Sequence, residues 1–190
     1  LFTDTWRGGE GLNWRVNEKV FPRGEADLRA FSEDLERKGM HLKMHWFSGG
    51  ISFQDPLYVL PKPDFRLATW VSGRLVEAVA AEDTTLLFAP DPGFEKPPVG
   101  HHVWAHRGTP PYVRIEDELI RVGSFENMDT KAWKLRNCRR GYSGTTVSPH
   151  AVGAGLVGLL TPYNACFTPD VDTTLLDEMA EGYAGLLNRC

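Results

Sequence analysis

Asp4, Thr5 and Trp6 close a short apolar and β-branched run, Leu1 to Thr5, and precede a turn-rich stretch that carries Gly8, Gly9 and Gly11. A carboxylate beside an indole suits sugar recognition. The carboxylate accepts hydrogen bonds from hydroxyls, and the indole offers a flat apolar face while keeping one N–H donor. Asp4 is therefore a candidate catalytic carboxylate and Trp6 a candidate substrate platform. The competing reading has Asp4 capping the turn and Trp6 packing under the loop. Hydrolysis by two carboxylates needs carboxyl groups about 5 to 9.5 Å apart. Glu10 is the partner the sequence offers Asp4, and it lies in the glycine-rich loop.

A second constellation is His41, Lys43 and His45, which alternate with Leu42, Met44 and Trp46. On a strand this alternation puts the polar residues on one face. His45 is a candidate substrate ligand or proton-transfer group, Lys43 and Trp46 candidate substrate contacts, and the alternative for His45 is a hydrogen-bonded interior histidine. His41 and His45 would stand roughly 13 Å apart on a strand, too far to share one metal. His101, His102 and His106 cluster beside a Pro/Gly loop without a carboxylate or cysteine at ligand spacing. Neither a metal nor a cofactor is expected. Arg139 and Arg140 stand beside Gly141 and Gly144, which permit a tight reversal. The two arginines are candidate contacts to an acidic glycan or a phosphate; otherwise they are solvated or paired to Glu116 or Asp117.

Positioning these groups requires elements. Leu1 to Thr5 reads as a strand. Leu28, Phe31 and Leu35 recur at helical spacing between Glu25 and Lys38, with Gly39 where a C-terminal cap belongs. His41 to Phe47 reads as a second strand ended by Gly49-Gly50. Strand, helix and strand predict a right-handed parallel βαβ unit. From Leu67 to Leu160 short β-rich runs alternate with Gly, Pro and Asp clusters. Candidate strands are Leu67–Val71, Leu75–Val79, Thr84–Ala89, Tyr112–Ile115, Glu118–Val122 and Ala132–Cys138, and Asp91 to Gly100 is a loop. A late helix carries Leu175, Leu176, Met179, Tyr183 and Leu186, with Thr174 and Asp177 in capping-box positions. The expected fold class is α/β: a partial (β/α) barrel, residues 1–66, an inserted mainly antiparallel β domain, 67–160, and a return to the barrel, 161–190. A small self-sufficient α/β domain is the alternative. A sheet cut at both ends would be covered by the rest of a parent chain or by another subunit.

Composition sets the limits. At 190 residues, 42% hydrophobic and 24% charged, the chain can bury a core, but it is short for an eight-fold barrel of about 250 residues. A net charge of −4 argues against a nucleic-acid partner. No apolar run approaches the roughly 18 residues of a membrane span. Cys138, Cys166 and Cys190 are odd in number and widely spaced, without a CxxC pair.

The runs DTWRGGEG, VFPRGEADL and GMHLKMHWFSGG together resemble the opening of glycosidase-type (β/α) barrels, nearest to the α-galactosidase-like group. The matching positions are Asp4, Trp6, Phe21-Pro22, Gly24, Gly39 and His45-Trp46. That resemblance implies sugar binding by Asp4 and Trp6, a glycoside hydrolase-like parent, and nucleophile and acid/base carboxylates on later strands absent from this chain. It also implies a secreted or cell-envelope location. RIEDELIRV and LRNCRRGYSGTTVSPHAVGA, within Val113 to Gly155, resemble a small β module recurrent in phage tail and some surface proteins, marked by RG-x-x-GT and a following His. The expectation is a fragment of a carbohydrate-active enzyme. The competing expectations are a carbohydrate- or partner-binding structural module without catalysis, and a polysaccharide lyase using Lys43, His45 and Arg139.

Overall fold

The structure, a computed structural model, describes residues 6, 15–45, 49–93, 111–127, 132–162 and 166–190. Among the described residues two helices, α1 (Glu25–Arg37) and α2 (Leu175–Arg189), flank a mostly β molecule. The strands are β1 (Ile51–Ser52), β2 (Thr69–Leu75), β3 (Leu86–Pro90), β4 (Tyr112–Ile115), β5 (Glu118–Arg121), β6 (Ser124–Asn127), β7 (Trp133–Arg136), β8 (Gly155–Leu159) and β9 (Cys166–Phe167). β1 and β9 make a two-stranded ribbon, and the other seven form one sheet in the order β5-β4-β8-β2-β3-β7-β6.

Every named strand pair is antiparallel. The expected partial (β/α) barrel is therefore wrong, and with it the glycosidase-barrel resemblance. The expected first strand, Leu1 to Thr5, lies outside the described residues, as do Trp46 and Phe47. His41 to His45 are described and form no strand. Their period of two is present, since Leu42 and Met44 are half-buried while His41, Lys43 and His45 are exposed. The apolar pair packs on a helix core of Trp6, Val16, Phe21, Leu28, Tyr183 and Leu186, so alternation here serves packing without a neighbouring strand.

The sheet curls until its ends meet. β5 and β6 are its opposite edges yet are separated in the chain by only Val122 and Gly123. The Arg121 and Arg139 amides donate to each other's carbonyls at 3.0 and 2.8 Å, and the Gly123 amide donates to the Arg136 carbonyl at 3.1 Å. Residues 118–127 thus act as one bent strand that closes a small barrel and removes free edges. Alternate residues fill its interior: Val71 and Leu75, Leu86 and Phe88, Val113 and Ile115, Trp133 and Leu135. A Cβ at Gly73 would collide with the backbone carbonyl of Ala89, so glycine is what lets β2 and β3 approach there.

One barrel wall is covered. Tyr112, Leu119 and Leu159 face outward and join Ile51, Phe53, Tyr58, Val59, Leu67, Phe167, Leu175 and Met179 in a second core. α1 begins near the expected position, and its end is a Schellman motif: Gly39, at φ +70°, donates to the Glu36 carbonyl and Met40 to that of Leu35. α2 buries Leu175, Met179, Tyr183 and Leu186. The Thr174–Asp177 capping box does not form, since the Thr174 side chain makes no capping hydrogen bond and its hydroxyl instead accepts from Arg66 at 3.1 Å.

Candidate functional site

The largest concentration of buried polar chemistry lies where the β4–β5 turn meets residues 79–83 and 139–150. Parity puts Glu118 on the same side of β5 as Ile120, so its carboxylate points into the barrel's end. There it meets Arg140 in a bidentate pair, Nε to Oε1 at 2.7 Å and Nη2 to Oε2 at 2.8 Å. Their side chains are 1% and 6% exposed, which makes this an interior ion pair. The remaining Arg140 donors reach the carbonyls of Ala80 at 2.8 Å, Asp83 at 3.3 Å and Ser148 at 2.6 Å. All five guanidinium N–H groups are used. The Gly141 amide donates to Glu118 Oε1 at 2.9 Å and the Ser148 amide to Oε2 at 3.2 Å.

His150 completes the cluster. Its Nε2 lies 2.8 Å from Glu118 Oε2 and its Nδ1 3.0 Å from Glu116 Oε2. Its amide and carbonyl pair with Val79, fixing the ring. A neutral imidazole has one N–H for these two carboxylates, whereas the doubly protonated ring satisfies both. Burial pushes the Glu118 carboxyl up, but Arg140, the Gly141 amide, His150 and the Ser148 amide together hold it below its ordinary value. Thr145 supports the same corner, accepting from the Leu119 amide at 3.0 Å and donating to the Tyr142 carbonyl at 3.0 Å. Gly141 is left-handed at φ +56°, and a Cβ there would stand 2.8 Å from the Thr145 carbonyl.

A pocket of about 370 Å³ opens over this cluster, lined by Pro61, Lys62, Glu116, Asp117, Glu118, Thr146, Ser148 and His150. Both ring nitrogens of His150 are occupied by carboxylates, so no hydroxyl among the described residues stands in the position of a nucleophile activated by it. No group of three or more metal-ligating side chains occurs among the described residues. Burial pushes the nearby Cys138 thiol up to about 12, against a smaller opposing effect of Arg140, which makes it a poor nucleophile.

Of the sequence-derived site residues only Arg140 falls in this cluster. Asp4, Glu10 and Trp46 lie outside the described residues, as do His101, His102 and His106. Trp6 is fully buried in the helix core and donates its indole N–H to the His45 carbonyl at 2.9 Å. That contact brings Trp6 and His45 together through the backbone, while the His45 and Lys43 side chains are exposed. Arg140 belongs to the buried cluster; Arg139, one residue before it, is exposed over the Tyr142 ring. The sequence offered, as the alternative to ligand binding, arginines solvated or paired to Glu116 or Asp117, and Glu118, the actual partner of Arg140, was missed. The available signal was parity along RIEDELIRV, which sets Glu118 on the side of Ile120 and Val122.

The fold and the cluster define a small antiparallel barrel with a polar plug at one end. Comparisons with protein-family models, curated proteins and solved structures found no match.

Proposed function

We propose that this chain is a partner-binding structural module without catalysis of its own. The observation that carries the reading is the saturation of the plug: every donor of Arg140 and both ring nitrogens of His150 are consumed by groups of the same chain. A catalytic group keeps an atom for substrate, whereas these atoms join four chain segments. Turnover of chromogenic ester, phosphate and glycoside substrates tests the proposal. The wild-type chain should be indistinguishable from Glu118→Gln in this panel, while Glu118→Gln unfolds at lower temperature. Turnover that His150→Gln abolishes without altering the fold would make the plug an active site and overturn the structural reading.

A further inference from the structure

Six arginines are in ion pairs among the described residues: Arg23 with Asp27, Arg37 with Asp34, Arg66 with Asp64 and Glu178, Arg136 with Glu126, Arg140 with Glu118, and Arg189 with Glu25. Arg121 and Arg139 are not among them. They are directly opposed across the bridge that closes the barrel, each amide bonded to the other's carbonyl. Among the described residues neither guanidinium is in an ion pair or donates a side-chain hydrogen bond. Like charges directly opposite on a sheet are unfavourable by themselves. Both instead lie over one ring, their Cζ atoms 6.0 and 5.5 Å from the centroid of Tyr142. A guanidinium held over a ring by cation–π attraction keeps N–H donors for a ligand. The adjoining Ser143 hydroxyl is shielded from solvent and has no partner among the described residues.

We propose that Arg121, Arg139 and Tyr142 form a docking point for an oxyanion, a carboxylate or phosphate group carried by the partner. Two guanidinium groups over one ring suit a small group with several acceptor oxygens, and the bound charge relieves the repulsion between them. The chain's net charge of −4 favours one local anionic group over an extended polyanion. This inference rests on the partner-binding reading, yet it uses no residue of the plug, so the two tests fail separately.

Titration of the full chain with inorganic phosphate, and separately with acetate, at constant ionic strength against chloride is the test. The readout is the Nε–Hε resonances of Arg121 and Arg139 and the ring resonances of Tyr142. A saturable shift with either oxyanion is expected. Arg121→Gln and Arg139→Gln should each weaken it about tenfold, the loss of one charge-assisted contact. Arg139→Lys, which keeps the charge and loses the fork, should fall between. Both glutamine variants should be no less stable than wild type without oxyanion, and should gain less in melting temperature when it is added. A response to acetate alone assigns the group to acidic side chains, and a response to phosphate alone assigns it to phosphoryl groups; each supports the site. Shifts from both oxyanions no larger than chloride's, or equal shifts in wild type and both glutamine variants, would overturn it.

Discussion

Two arginines hold this molecule together in different surroundings. Arg140 is enclosed at the barrel's end with Glu118. Arg66 sits at the seam between barrel and α2, where it bonds Asp64 at 2.7 Å, Glu178 at 2.9 Å and the Thr174 hydroxyl at 3.1 Å. Tyr58 adds a bond to Glu178 at 2.9 Å, and Arg114 of β4 donates to the Asp64 carbonyl at 2.9 Å. The seam is as rich in partners as the plug, but Glu178 is about half exposed, so water competes for it. Burial, more than the number of bonds, decides what each pair does. A buried pair costs much to break because the abandoned partner stays desolvated, whereas an exposed partner is rehydrated.

The largest effect is expected from Arg140→Ala, which leaves the Glu118 carboxylate in the interior without its counter-charge. Urea denaturation should show a loss of about 3–5 kcal/mol. The double variant Glu118→Gln with Arg140→Met should lose less than Arg140→Ala alone, because no charge remains stranded. A double variant as unstable as the single would mean that lost packing, not stranded charge, dominates.

Acid should reach the plug by the same route. The folded Glu118 carboxyl lies below its ordinary value near 4.5, so the folded chain holds that proton less tightly than the unfolded one. Its stabilisation is complete above about 4.5 and is lost as pH falls through the lower folded value. Melting temperatures between pH 6 and 2 should therefore fall more steeply for wild type than for Glu118→Gln. Parallel curves would remove Glu118 from the account of acid stability.

Gly141→Ala sharpens the geometry of the plug. The residue is left-handed and gives its amide to Glu118, so an added Cβ brings strain of about 1–2 kcal/mol without changing any charge. Arg66→Gln should cost about 1 kcal/mol at low salt and less at high salt, since its partners are partly hydrated. A salt-independent loss at Arg66 as large as that at Arg140 would erase the distinction between seam and plug.

These contrasts also mark how far the sequence was legible. Tyr112–Ile115 and the short run from Glu118 are strands close to where their apolar alternation places them, and α1 ends at the glycine that its pattern implies. Local chemistry suffices for such features. What misled was the alternation at His41–His45, which a strand and an extended segment packed on a helix core share. The parallel sheet was inferred from the strand, helix and strand order that this segment completed, and the error spread to the whole fold class. The barrel's closure depends on the pairing of Arg121 with Arg139, and the plug on Glu118 meeting Arg140 and His150, contacts 18 to 32 residues apart that no local pattern encodes.

The smallest effect is expected at the pocket's rim, where Lys62 stands 3.9 Å from Asp117 with both side chains largely exposed, 66% and 74%. Lys62 lies above the plug and shares a pocket with Glu118 and His150, so proximity alone would make it important. Exposure argues the reverse. Holding a long lysine in one geometry costs side-chain entropy, and water screens the attraction, so Lys62→Ala should change stability by less than about 0.5 kcal/mol. Paired urea denaturation curves at low and high salt measure this directly. A loss above about 1 kcal/mol that persists at high salt would show that the field of the acidic rim reaches the buried Glu118 carboxylate. The plug's stability would then depend on the charges lining its pocket as well as on the bonds inside it.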